Sequence, residues 1–318
     1  NRERIRARLG VRVAPTDEIS ATIRAASGNI NDPISTNETL NGNFNRKNFN
    51  LDWAYLTLAP GKTFGWRPGV LNVNAGKFPM PQFRVGELVF DDDLSPEGVS
   101  ETVQLLGEPL GMVDQIKVHG LQWTFSEQSH AQDGWMFGGQ INPSFHFGDV
   151  QLEGGMAQYW WLNPDLIAQS LSKNTTSYTS SGAPVTNSGY NSSLANTNLL
   201  VNQTIQPPTP TGGKKPASFS AITGYQSAYN VSNINLQATV PNLVAAQPLR
   251  LFLDYAYNWQ AVNSDSQGVQ VGAKLGQTKA RGDWAVMALW ERLEQEAVIS
   301  SFTTSAPIVN TPTTFYPS

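Results

Sequence analysis

The stretch that most constrains this chain is its first, Arg2-Glu3-Arg4-Ile5-Arg6-Ala7-Arg8-Leu9-Gly10-Val11-Arg12-Val13. At a period of two, Ile5, Ala7, Leu9, Val11 and Val13 share one face and Arg4, Arg6, Arg8 and Arg12 the other. Successive side chains of a strand point to opposite faces, so the segment is a ribbon with one apolar and one strongly cationic side. A soluble sheet tolerates such a ribbon if the arginines stand in water. What narrows the choice is that the same alternation recurs along the chain.

Ile19, Ala21, Ile23 and Ala25 oppose Ser20, Thr22 and Arg24, after a turn at Ala14-Pro15-Thr16-Asp17. Phe49, Leu51, Trp53 and Tyr55 follow a loop rich in Asn and Gly, and Leu71, Val73 and Ala75 follow a turn at Pro60-Gly61. Val99, Val103 and Leu105 alternate with Ser100, Thr102 and Gln104. Phase is lost between Ile116 and Phe125, and a β-bulge near Gly120 would restore it. Phe137 to Phe147 and Val150 to Met156 alternate cleanly about the turn Gly148-Asp149. Later strands carry Ile234, Leu236, Ala238 and Val240, then Leu249, Leu251, Leu253 and Tyr255, then Val269, Val271, Ala273 and Leu275, then Trp284 to Trp290. The segment 162–218, rich in Ser, Thr, Asn, Pro and Gly, is too long for an ordinary connection in a compact soluble domain and reads as an external loop. The pattern predicts an all-β fold: a transmembrane antiparallel up-and-down β-barrel with about twelve strands in one domain spanning 1–318.

Composition agrees. Only 14% of the 318 residues are charged, against about 25% in a typical globular protein. The net charge of −4 offers no basic field for nucleic acid, and the absence of cysteine removes disulfides and thiolate metal sites. No run of about 18 apolar residues could form a membrane-spanning helix. Trp53, Tyr55, Trp160, Trp161, Tyr257 and Trp259 fall near strand ends, as a girdle at the headgroups would require. The end Phe315-Tyr316-Pro317-Ser318 is not an apolar-alternating strand, no signal peptide is visible and Asn1 is not an initiator, so the chain reads as part of a longer barrel.

Motif-like stretches run in order along the chain: Arg2 to Val11, Gly28 to Asn37, Leu51-Asp52-Trp53-Ala54-Tyr55-Leu56, Ala75-Gly76-Lys77-Phe78, Phe90 to Gly98, Gly282-Asp283-Trp284 and Glu294-Gln295-Glu296-Ala297-Val298. Together they resemble the putative porin family of Gram-negative bacterial outer membranes, of the general trimeric porin type. The resemblance implies a strand before Asn1 and about three after Ser318, roughly sixteen in all. It also implies a homotrimer in the lipid bilayer of the cell outer membrane, with lipopolysaccharide at its outer leaflet. A water-filled channel would pass ions and small hydrophilic solutes by passive diffusion, with no cofactor. The chain departs from the family pattern after Val298, where Thr303-Thr304-Ser305 replaces an acidic stretch.

Arg4, Arg6, Arg8, Arg12 and Arg24 would form a permanently positive strip on a lumen wall, or else the solvated face of a soluble sheet. Asp91, Asp92, Asp93 and Glu97, on the third long loop, supply the opposite charge. Folded inward, as the loop of trimeric porins is, they would narrow the pore opposite the arginines and set up a transverse field. As an exposed loop they would be an acidic patch; as a calcium site their spacing matches no EF-hand. His119, His130 and His146 match no zinc motif, no Gly-x-Ser-x-Gly elbow precedes a helix, and the chain reads as non-enzymatic. Two further readings stay open: an outer-membrane or envelope scaffold with a plugged barrel, and a soluble β-sandwich that binds carbohydrate. In the barrel reading Leu251→Arg is costly, whereas the same change at inward-facing Asn235 is nearly neutral.

Overall fold

A computed structural model describes residues 3–128, 132–178, 184–186, 189–209, 213–244, 247–279, 281–303 and 314–317. Thirteen strands form one antiparallel sheet: β1 (Arg8–Val13), β2 (Ile19–Ser27), β3 (Phe49–Leu58), β4 (Leu71–Lys77), β5 (Glu97–Gln104), β6 (Val113–Ser126), β7 (Gly134–Phe147), β8 (Val150–Leu162), β9 (Asn230–Val244), β10 (Gln247–Asn258), β11 (Gln267–Gly276), β12 (Ala285–Leu293) and β13 (Thr314–Pro317). Each pairs with its neighbour in sequence, and β1 and β13 are the two edges, not joined to each other among the described residues. The sheet is therefore open here, where the sequence predicts a barrel. Connections alternate: 28–48, 78–96 and 163–229 leave one end, while 14–18 and the Gly148-Asp149 turn close the other.

The two faces are inverted relative to a soluble sheet. Gln140, Asn142, Asn233, Asn235, Asp254 and Gln270 are buried, whereas Ile141, Leu236, Leu251 and Val271 on the same strands are exposed. Water would favour the reverse. Hydrocarbon explains it, because polar groups there must find partners inside the protein while apolar side chains meet lipid.

The apolar core lies on the polar face, at its long-loop end. Leu121, Trp123, Met136, Ala157 and Tyr159 point inward from β6–β8 and pack with Phe78, Leu88, Val89 and Phe90 of the 78–96 loop. Tyr225, Tyr229, Ala297, Val298 and Ile299 close over them. This placement accounts for the apparent loss of phase near Gly120. Pairing runs without interruption through Glu101↔Gly120 and Gly120↔Gly139, so no bulge lies there. Instead the inward row changes character, from Lys117 and His119 to Leu121, Trp123 and Phe125, where the loop packs against it. The bulge that does matter is at Asp52, where Arg24 opposes Trp53 but Ala25 opposes Leu51.

That bulge leaves Leu51 and Leu56 exposed while Trp53 bonds to Ser95 of the inner loop and Tyr55 packs on Phe78. Trp161 also belongs to the inside, stacked on Phe302. Of the expected girdle, Trp160 and Trp259 stand exposed at strand ends. The segment 162–218 is not featureless. It holds a helix, α1 (Asp165–Ser170), a hairpin of Asn174–Tyr178 with Pro184–Thr186, and the strand Leu200–Ile205, which pairs with Phe219–Tyr225 just beyond it. The chain end also differs from expectation, since Thr314–Pro317 pairs with Val286–Leu289.

Asn235 corrects the assumption that inward positions tolerate any polar change. It is fully buried, accepts the Val85 N–H and donates to Asn233, so an arginine there would break a packed network. Gln151 is the better control, being exposed on the inward face of β8. Leu251→Arg should lower the unfolding free energy in lipid by about 2–4 kcal/mol, and Gln151→Arg by less than about 0.5 kcal/mol. Urea titration of both variants in lipid vesicles checks the assignment, and equal losses would contradict it.

Candidate functional site

The loop 78–96 crosses the polar face, bonded to β7 and β9 and packed close on β10 and β11. Gln140 of β7 makes a reciprocal pair with the loop backbone, accepting the Phe83 N–H at 2.9 Å and donating to the Phe83 carbonyl at 2.8 Å. Asn235 of β9 accepts the Val85 N–H at 3.0 Å. Gly86 then passes so close to β10 and β11 that a Cβ would stand 2.0 Å from Gln270 Oε1 and 2.8 Å from Asp254 Oδ2. The loop tip is held from the other side, where Thr303 donates to the Glu87 and Leu88 carbonyls and the Asp91 N–H donates to the Phe302 carbonyl. Buried amide side chains therefore replace the water that loop backbone would otherwise bind.

Of the sequence-predicted charges, the structure brings Arg6, Arg8 and Asp93 together. Arg6 Nη2 is 2.9 Å from Asp93 Oδ2 and Arg8 Nη2 is 2.5 Å from Asp93 Oδ1, and Thr36 donates its N–H to the same carboxylate. Arg24 pairs with Asp52 at 2.5 Å and lies 3.0 Å over the Trp53 ring. Arg4 lies in a short exposed strand that pairs with Glu38–Thr39, and Arg12 donates weakly to Ser20. Glu97 is held by Lys77 at 2.8 Å, and Asp92 by Arg84 at 2.7 Å. The three aspartates thus point in three directions rather than around one cation, as a calcium site would need.

Asp91 is the unusual one. Its carboxylate is buried, accepts the Asp93 N–H, and sits beside Glu87, Asp93 and Asp92; desolvation first, then these like charges, push its pKa up to about 7. His119 bonds Thr102, His146 pairs with Asp114, and His130 lies outside the described residues. No cluster of three metal-ligating side chains occurs among the described residues. Sequence reasoning missed Arg84, Glu87, Arg250, Lys274 and Glu291, which line a cavity of about 540 Å³ beneath the loop. The signal was present for Arg250 and Lys274, since both fall on the polar side of their strands.

An inverted sheet with a loop tied across its polar face defines a porin-type protein of the bacterial outer membrane. The chain belongs to the family described as "Putative porin", whose model matches residues 1–307. Its role is accordingly membrane-channel-type and non-enzymatic. A comparison with curated protein sequences gives no match. Among solved structures, the chain is similar to OmpT, an in-vitro folded outer-membrane protein of Vibrio cholerae in its trimer form. Identity is 7%, the match covers 98% of this chain and 88% of that one, and the TM-score is 0.47. A loop L8 deletion form of the same protein matches at 8% identity over 90% of this chain and 83% of that one, with a TM-score of 0.41.

An acid whose pKa is raised by folding supports the fold fully below its ordinary value, near 4 for aspartate, and that support is lost as pH rises through the raised value. For Asp91 the loss falls between about 4 and about 7. Hydrogen exchange over residues 88–95 should therefore quicken in the parent protein between pH 5 and pH 8, after correction for intrinsic rates. In Asp91→Asn, which keeps the acceptor for the Asp93 N–H, it should not; the same pH trend in both would refute the assignment.

Proposed function

We propose that this chain forms most of a closed barrel whose water-filled lumen passes ions and small hydrophilic solutes by passive diffusion. The observation that carries the reading is the hydrogen-bonded crossing of loop 78–96 over the polar face, which suits a constriction better than an exposed patch. Arg4, Arg6, Arg8, Arg12 and Arg24 on one side and Asp91, Asp92, Asp93 and Glu97 on the other are then its charged lining. With Asp93 already on Arg6 and Arg8, the field at the narrow point is that of a partly neutralised row. The packed core inside the long-loop end favours a second reading, a barrel plugged from that side.

Assembly as a homotrimer fits one feature of the outward face. Glu101, Gly120 and Gly139 are consecutive register partners on the side opposite buried Ser100, His119 and Gln140, and Glu101 accepts from Gln122 there. A carboxylate amid glycines is poorly suited to lipid and well suited to close contact with another subunit. Native mass spectrometry in mild detergent that finds monomers alone would overturn this.

Planar-bilayer recordings test the channel. The parent protein should conduct KCl, and replacing Asp91, Asp92 and Asp93 by asparagine should move the reversal potential toward anion preference. Arg6→Gln with Arg8→Gln should move it toward cations, and both shifts should shrink as salt rises. Absence of conductance would favour the plugged barrel, and conductance indifferent to both sets at low salt would remove these residues from the constriction.

A further inference from the structure

Arg250 of β10 and Lys274 of β11 are direct cross-strand partners. Both project to the inner face, in step with buried Asp254 and Gln270 further along the same strands. Like charges placed directly opposite each other destabilise a sheet. The other cations near the third loop are relieved by carboxylates: Arg6 and Arg8 by Asp93, Arg24 by Asp52, Arg84 by Asp92. Arg250 and Lys274 form no ion pair among the described residues, and the Arg250 Nε is buried without a hydrogen-bond partner.

The acids around the same cavity are engaged elsewhere. Of the acids that line it, Asp92 holds Arg84, Glu291 accepts from Gln270 at 2.6 Å, and Glu87 accepts the Asp92 N–H at 3.4 Å. Among the described residues Arg250 and Lys274 are the cations of this lining that stand in no ion pair with a carboxylate. Beside it runs an apolar wall. The Phe252 ring lies on Gly272, where a Cβ would be 2.3 Å from it; Leu289 opposes Gly272 and Met287 opposes Lys274. The volume, about 540 Å³, is that of a small-molecule site.

We propose that this cavity is a subsite for an organic anion, a carboxylate with a compact apolar body, its charge on Arg250 and Lys274 and its body against Phe252 and Leu289. An inorganic anion would use the cations alone and leave the apolar wall wet. The inference rests on the reading of this face as a channel wall, which gives the solute access.

Benzoate, benzyl alcohol and inorganic phosphate serve as probes, with binding to the full chain in detergent followed by equilibrium dialysis. Benzoate should bind at least about tenfold more tightly than benzyl alcohol, the charged hydrogen bonds making the difference. It should also outbind phosphate. Arg250→Gln with Lys274→Gln should weaken benzoate about tenfold or more, and Lys274→Gln alone should weaken it partway. Equal binding of benzoate and benzyl alcohol would overturn the proposal, as would phosphate binding as tightly as benzoate or a folded double variant that binds benzoate like the parent. The first two comparisons need only the parent chain. KCl conductance of the same preparation separates the two claims, since benzoate binding without conductance would overturn the channel and keep the subsite.

Discussion

Backbone and side-chain polar groups in hydrocarbon have no water to turn to, and every feature of this structure follows from where they find partners instead. The backbone finds them in thirteen antiparallel strands. The side chains find them on one face, so that Asn233, Asn235, Asp254 and Gln270 are buried while Leu236, Leu251 and Val271 are exposed. Because the polar face is already rich in amides, it can also satisfy the backbone of an incoming segment. Loop 78–96 uses that capacity, and its fixed course is what gives the charged residues defined positions.

The charges then divide by whether they have been matched. Asp93 draws Arg6 and Arg8 onto the loop, Asp52 holds Arg24 over the Trp53 ring, and Lys77 holds Glu97. These pairs fasten the loop's acidic turn to the first strands, with Arg6 and Arg8 sharing one carboxylate. Two cations without an ion pair among the described residues, Arg250 and Lys274, lie further along the sheet, near the glycine where the loop passes close to the wall. An arrangement of this kind separates the residues that hold the loop in place from cations that have no carboxylate partner among the described residues.

Much of the fold was legible because period-two alternation is a local property. From Phe137 to Met156 and from Ile234 to Leu275 the exposed and buried faces fall where the sequence puts them. What misled was reading every inward residue as polar. Leu121, Trp123, Tyr159 and Trp161 face in because a long-range segment packs on them, which no window of neighbouring residues reveals. For the same reason the Asp52 bulge, set by the Arg24 contact across strands, was invisible while a false one was inferred at Gly120. In the site, charge type and inward phase were legible for Arg6, Arg8 and Lys274. Their partners depend on the path of a loop whose own sequence carries no period, so Arg84, Glu87 and the neutralising role of Asp93 had to come from the structure.

The absence of cysteine permits a direct test of the inverted sheet. Single cysteines at Gln151, Gln237, Leu236 and Leu251 of the full chain in lipid vesicles can be challenged with a charged, water-soluble thiol reagent. The account predicts rapid labelling at Gln151 and Gln237 and protection at Leu236 and Leu251, with all four reactive once the protein is unfolded. Rapid labelling at Leu236 and Leu251, with protection at their inward neighbours, would contradict it.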